Sequence, residues 1–389
     1  MKKTKVLAFC LKQIPSATVG VMAPLFHLKE EGNIDFLFRE TLDIKEKDIA
    51  WADVVICIRG CEKIEHRIMQ ESRRLGKYLI YFLDDDLLNI PETSNSFQYF
   101  NMTHIRENIF NIMRICDCLW TTNPNILNKY RSFFDKAVVI HAPAMLLGEL
   151  PEFVPRNEIK IGFAGSIDHE PFLESFLGKV IKEVLQKNSS RVKFQFFGAK
   201  PKFPDFGRAI EYLPYANNHE KYAEVMKSLR WDIGLAPLPS SEFHACKYFN
   251  KFLEYAAVGA AGIYSNVEPY TFIVKHKING LLVDNEVKAW VEAIQSLIDD
   301  AELRQKIRNA SYQELVNSFT VGHISHKIKQ SLSEVVTYNA PLCHEDQVNF
   351  PKEVSNLYFY KAMELFKHHG FKAFGIGLKK MINKIKKRQ

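Results

Sequence analysis

With 389 residues, 47% of them hydrophobic and 25% charged, the chain is long and apolar enough for two globular domains, each with its own core. Its formal charge of +7, from 52 basic and 45 acidic side chains, is mild: it suits an anionic ligand or membrane surface and does not point to nucleic acid. No apolar run reaches transmembrane length, and the seven cysteines show no zinc-type spacing with nearby histidines, so buried thiols in a reducing, cytoplasmic compartment are expected.

The N-terminal lysines precede a short apolar run that Lys12 and Gln13 interrupt, so a first strand is expected over Lys5–Leu11 and not a signal peptide. Further strands are predicted at Ile34–Phe38, Val54–Ile58, Tyr78–Leu83, Cys118–Thr121 and Ala137–Ile140. Amphipathic helices are predicted between them at Glu62–Leu75, His104–Ile115 and Pro124–Phe133. Short apolar strands alternating with such helices imply a parallel sheet covered on both faces. Pro143, Gly148, Pro151 and Pro155 then mark a linker near residues 142–158.

A second alternating unit begins at Ile159–Ala164. Its other strands are predicted at Val192–Gly198, Ile210–Leu213, Ile233–Pro237, Gly262–Tyr264 and Leu281–Val283. Its helices are predicted at Pro171–Gln186, Tyr222–Leu229, Lys247–Val258, Tyr270–Lys275, Val287–Leu297 and Ala301–Ser318. Two such units create a cleft, with functional residues in the loops after the strands. After a loop-like stretch at 341–353, a helix is predicted at Val354–His369. From Lys372 to the end there are seven basic residues and no acidic one, with Phe374, Ile376, Leu378 and Met381 among the apolar partners. A basic amphipathic end of this kind suits an anionic bilayer surface, and equally a solubilising terminus or a helix packed back on the protein.

Three clusters suit chemistry. Lys247 and Lys251, four apart, share a face near the start of the predicted helix, where free backbone N–H groups also favour an anion such as a diphosphate. Glu254 follows on a neighbouring part of that face and suits two sugar hydroxyls. The same spacing also suits a surface Lys251–Glu254 ion pair, worth only about 0.2–0.5 kcal/mol. The second cluster, Gly162 and Gly165-Ser166 after a strand with Gly198 in the same position one strand on, suits close approach of backbone to phosphate or ribose. The third, Asp84-Asp85-Asp86 at a strand end, suits hydroxyl positioning, base chemistry or Mg²⁺, and equally a solvated turn with Asp86 near a helix cap. His104, His141, His169 and His244 lie near loops or helix starts and form no His-x-x-x-His pair. There is neither a Gly-x-Ser-x-Gly elbow nor a P-loop.

The run from Asp232 to Pro239, then Phe243, Lys247, Lys251 to Glu254, Gly259 and Asn279-Gly280, resembles the retaining glycosyltransferases with two Rossmann-like domains. Ile161 to Gly165 and Phe196 to Gly198 match their earlier landmarks, and Leu83 to Leu88 looks like a first-domain motif of a subgroup acting in surface-polysaccharide and glycan assembly. The resemblance covers roughly residues 78–320. It implies an α/β fold of the GT-B type. An acceptor domain over 1–150 and a nucleotide-sugar donor domain over 157–322 would face each other, followed by a crossover helix within 323–340 and a helical basic extension over 341–389. It implies a sugar transferred, with retention, to a hydroxyl of a glycan or lipid-linked glycan, with no cofactor beyond the donor and no required metal. By this resemblance Glu254 holds the donor ribose, Lys247 and Lys251 face the pyrophosphate, Gly165 sits near the diphosphate, and Pro214 and Tyr215 lie near the base. Asp84 and Asp85 then position the acceptor. One departure stands out: many relatives place a glutamate eight residues before the ribose-binding one, and here that position is Cys246.

Overall fold

The computed structural model describes residues 2–214, 216 and 219–349. Tyr215 and the predicted elements beyond residue 349, the 354–369 helix and the basic end, lie outside the described residues. The first unit is a six-stranded parallel sheet: β1 (Thr4–Cys10), β2 (Ile34–Glu40), β3 (Val54–Ile58), β4 (Tyr78–Leu83), β5 (Cys118–Thr121) and β6 (Lys136–Val139), in the order β2-β1-β3-β4-β5-β6. The second is β7 (Ile159–Gly165), β8 (Val192–Gly198), β9 (Ile210–Leu213), β10 (Ile233–Ala236), β11 (Ala261–Ser265) and β12 (Leu281–Val283), in the order β12-β11-β10-β7-β8-β9. Both sheets are parallel throughout. Strands buried on both faces need near-continuous apolar runs, and Val54–Ile58 is buried at every position.

Apolar clusters cover both faces of each sheet. Leu7, Val55 and Leu79 point to one side of the first sheet, while Val6, Ile56 and Ile80 point to the other. Ile161, Phe194 and Ile233 face one side of the second sheet, and Trp231, Tyr255 and Tyr264 pack on its other side. Small residues make that packing possible: a Cβ on Gly162 would sit 1.9 Å from the Trp231 ring, and one on Gly234 would sit 2.4 Å from the Tyr255 ring. Gly162 therefore serves ring packing and not ligand approach.

Three local expectations need correction. The helix expected from Lys247 begins at Asn250 (α-helix Asn250–Val258), so Lys247 belongs to the preceding segment and shares no helical face with Lys251. Only a single turn, Tyr270–Phe272, forms where Tyr270–Lys275 was expected to be helical. A helix also follows β1, opening as a π-type turn over Ser16–Met22 and continuing over Ala23–Glu30. Val321–Ser331 returns to this helix, with the Ser325 hydroxyl donating to Pro24 O at 2.9 Å and Ile324 and Ile328 buried in the first unit's core. All seven cysteines are free thiols.

Glu65 caps the helix Lys63–Arg74, accepting from the backbone N–H groups of Cys61 (2.8 Å) and Glu62 (3.0 Å) and from the Thr41 hydroxyl (3.0 Å). Burial raises its carboxyl from the usual 4.5 to about 7, the two N–H groups holding it back. Between those two values the folded state holds a proton that the unfolded chain has lost. The associated stability is therefore full below pH 4.5 and is lost as pH rises through about 7, a change of about 3 kcal/mol. Glu65→Gln keeps an acceptor for the two N–H groups and offers its amide to Thr41. It is expected to flatten the urea midpoint between pH 5 and 8; parallel curves for parent and variant would contradict this account.

Candidate functional site at the interface of the two units

In doubly wound sheets, ligands bind beyond the carboxyl ends of the strands, where the strand order reverses. The second sheet reverses between β7 and β10, and the first between β1 and β3. A cavity of about 510 Å³ opens beside both points, walled by Ser16, Gly20 and Asp84 from the first unit and by Gly165, Lys251 and Glu254 from the second. Ser166 and Gly198 also line it. Gly198 has φ +92°, a backbone conformation that favours glycine. Pro214 is solvent-exposed and does not line the cavity.

Asn250, the first residue of the helix Asn250–Val258, also lines the cavity, so this end of the helix faces it. At the next position, Lys251 Nζ donates to Ala164 O at the end of β7 and lies 4.8 Å from the centre of the Phe163 ring. Glu254 is bonded to the Tyr222 hydroxyl. Lys251 and Glu254 thus form no direct surface pair; both are built into the cavity wall. Burial pulls the Lys251 ammonium down, Glu254 partly restoring it and Lys247 opposing it. Burial pushes the Glu254 carboxyl up, against Lys251 and Tyr222. His169, also in the wall, is held well below its usual value by burial and by the nearby Lys251, Lys247 and His244. His244 is lowered to about 4 by burial and Lys247.

Lys247 lies beside this wall, its Nζ 4.5 Å from the centre of the Phe243 ring and 3.5 Å from Asp85. Across the interface, Arg59 Nη1 stands 3.6 Å from Asp84, 3.1 Å from Asp85, and 3.2 Å from the Ser16 hydroxyl, to which it donates. Arg59 is a non-glycine residue at φ +51°, a strained conformation of the sort that gathers at functional sites. Burial and Asp85 raise the Asp84 carboxyl against the pull of Arg59. At Asp85 burial pushes the same way, but Lys247 and Arg59 prevail and leave it lowered. Asp84 Oδ1 is buried without a hydrogen-bond partner. Asp86 has a separate, structural place: fully buried, it accepts from Lys129 (2.8 Å), Asn89 and the Tyr130 hydroxyl.

The segment before the helix Asn250–Val258 is fastened to the first unit. Asn123 Nδ2 donates to Ala245 O (2.8 Å) and Lys247 O (2.7 Å), and Cys246 is buried in a core cluster of the first unit. Position 246 is therefore an interface plug. Glu242 points to solvent, 84% exposed, toward Lys129. His141 stacks on Tyr248 and donates from Nδ1 to Thr122 O at 3.2 Å, outside the cavity wall. Sequence reasoning missed Arg59, Ser16, Tyr222 and Asn250; only Ser16, directly after Pro15 and a strand, carried a recognisable loop signal. Among the described residues, no group of three or more His, Cys, Asp or Glu is placed to hold a metal ion.

Comparison with known proteins agrees with this architecture. A family model described as glycosyl transferases group 1 matches residues 158–300. No curated protein matches the chain by sequence. Sucrose-phosphate synthase from Thermosynechococcus elongatus superposes with a TM-score of 0.61 at 12% identity, over 85% of this chain and 99% of that one. HepE of Anabaena with UDP-glucose bound gives 0.59 at 13% identity, over 85% and 99%. A glycosyltransferase from Rickettsia africae ESF-5 gives 0.57 at 14% identity, over 87% and 100%. At these identities the likeness is one of fold. The molecule has the GT-B arrangement of two Rossmann-like units, with terminal helices returning to the first.

Proposed function

We propose that the protein is a glycosyltransferase of the hexosyl-transferring class, which moves a sugar from a nucleotide-sugar donor to a hydroxyl of a glycan or lipid-linked glycan. The observation that carries this reading is the placement of Lys251, Glu254, Gly165 and Gly198 on one wall of a single cavity and of Asp84, paired with Arg59, on the other. The family match over 158–300 and the nucleotide-sugar complex of the Anabaena protein support it. Residues 157–322 form the donor domain in this reading and 1–150 the acceptor domain, with 323–340 crossing back. The protein acts in the cytoplasm, at the inner face of the membrane where residues 372–389 meet anionic lipid.

Glu254 takes the ribose hydroxyls, and Lys251, Lys247 and the helix N–H groups take the diphosphate. Lys247 must exchange Asp85 for phosphate, so donor binding loosens one tie between the units. As the bond from sugar to phosphate lengthens, negative charge grows on the leaving oxygen beside Lys251, where a desolvated cation stabilises it most. The acceptor hydroxyl is held by the Asp84 carboxylate and attacks on the face the phosphate leaves, and the departing phosphate takes up its proton. Configuration is retained in this scheme. Cys246 and Glu242 are both turned away from the cavity, so the donor sugar is selected by other groups in its wall, such as His169.

A thermal-shift panel of UDP-, GDP-, CMP- and dTDP-sugars, followed by product analysis with the best donor, tests the reading. A saturable shift and a new glycoside are expected. Conversion of the donor without acceptor would identify an epimerase, and tight glycan binding without turnover would identify a scaffold; either outcome rejects the transferase.

A further inference from the structure

At the far end of the second unit from the cleft, beside the start of β10, four arginines converge on a small recess. Its volume is about 30 Å³, and Phe153, Arg156, Arg230, Asp232, Arg304 and Arg308 line it. Arg304 and Arg308 are only 4% and 6% exposed. Arg304 uses Nη1 to bind Leu297 O and Ile298 O at the end of the helix Val287–Asp299, leaving its buried Nε without a partner. The Arg308 guanidinium has neither a hydrogen bond nor an ion pair among the described residues and lies 5.7 Å from the centre of the Phe153 ring. Asp232 is committed to the backbone N–H of Lys160 at 2.9 Å and forms no ion pair with any of the four arginines. Arg156 and Arg230 stand exposed at the mouth, where Arg156 donates to Arg230 O at 3.1 Å and Arg230 holds φ +52°. Four cations thus face two acids, Asp232 and the exposed Glu152.

Buried guanidinium groups are costly unless an acceptor meets them, and arginine's planar fork suits the oxygens of a phosphoryl group. We propose that this recess is an anion site for a phosphoryl group, held at its floor by Arg308 and Arg304 Nε and at its mouth by Arg156 and Arg230. The recess has room for about two waters, so only the oxyanion head enters and any attached body stays outside. The site lies at the opposite end of the helix Asn250–Val258 from the cavity: a Cβ on Gly259, which caps that helix, would sit 2.7 Å from Arg308 Nε. Phe153 and Arg156 belong to the segment joining the two sheets, so an occupied site ties that segment to the second unit.

The test is thermal melting of the full chain in rising inorganic phosphate, with ionic strength held constant by chloride. Ligand that binds only the folded state raises Tm in a saturable way. The parent is expected to show this rise, and so is Lys251→Met, in which the cleft's own anion site is weakened. Arg308→Gln is expected to lose it. Persistence of the rise in Arg308→Gln, its loss in Lys251→Met, or its absence from the parent would overturn the proposal. If Arg308→Gln fails to fold, the double variant Arg156→Gln/Arg230→Gln alters only exposed rim residues. It is expected to shift the phosphate midpoint about tenfold or more, which is at least 1.4 kcal/mol, and an unchanged midpoint would overturn the proposal. A hexose monophosphate run in parallel separates the sources: a tighter midpoint than that of inorganic phosphate assigns the site to a phosphorylated metabolite, and an equal one to free phosphate.

Discussion

Lys251→Met is expected to lower turnover by about 10²–10³-fold, roughly 3–4 kcal/mol of transition-state stabilisation, while leaving the fold intact. Methionine refills the space over the Phe163 ring, where Lys251 Nζ now lies 4.8 Å from the ring centre. It also removes a cation that burial already disfavours. The lost charge is missed only when the leaving diphosphate gains its negative charge, so the effect falls on kcat more than on KM. Glu254→Gln should behave differently. It spares one acceptor for a ribose hydroxyl and loses the other, and it removes a carboxylate that burial raises. Donor KM is expected to rise about tenfold or more with a smaller change in kcat. Steady-state kinetics on both variants, with circular dichroism as the check on folding, decides the matter. If both folded variants kept parental kcat and donor affinity, the donor site would lie elsewhere.

Much of this arrangement was legible because local signals and tertiary structure agree. Val54–Ile58, Tyr78–Leu83 and Val192–Gly198 are apolar runs bounded by turn residues, and they form strands with those same limits. Lys247 was misplaced because Lys247 to Val258 has an unbroken helical pattern in sequence. The break comes from partners far along the chain: Tyr248 bonds Ala142 O at 2.8 Å, and Phe249 packs edge-on to Phe319. The helix from Ser16 was invisible for the opposite reason. Thr18, Val19, Gly20 and Val21 are poor helix formers, and packing against Phe82 holds Gly20 in place, where a Cβ would come within 2.7 Å of the ring. Arg59 had no signal at all, because its two carboxylate partners follow a different strand and meet it only when β3 and β4 pair. Cys246 was recognised as a departure from the family pattern. Its burial in the core of the other unit gives that departure a physical meaning that no local pattern carries.

Arg59→Met is expected to reduce stability by about 3–5 kcal/mol at neutral pH, because it strips a buried carboxylate pair of its shared cation. The side chains of Arg59, Asp84 and Asp85 are only 21%, 17% and 23% exposed, so water replaces the guanidinium poorly. The loss has a pH signature. Burial already raises Asp84, and Arg59 is the largest influence holding it down. Without Arg59 the folded-state carboxyl rises further, and the folded protein retains a proton that the unfolded chain has released. Such a group stabilises the fold below the unfolded carboxyl value and ceases to do so as pH rises through the folded value. The deficit of Arg59→Met relative to the parent should therefore be small near pH 5 and grow toward pH 8. Adding Asp85→Asn removes the neighbouring charge that raises Asp84 and is expected to restore part of the stability at pH 8 while doing little at pH 5, since replacing both partners of a buried pair is far less costly than removing one. Urea unfolding of parent, single and double variants at the two pH values tests this. A deficit equal at pH 5 and 8, unaffected by Asp85→Asn, would mean that Arg59 acts through packing and its left-handed turn instead of through the two carboxylates.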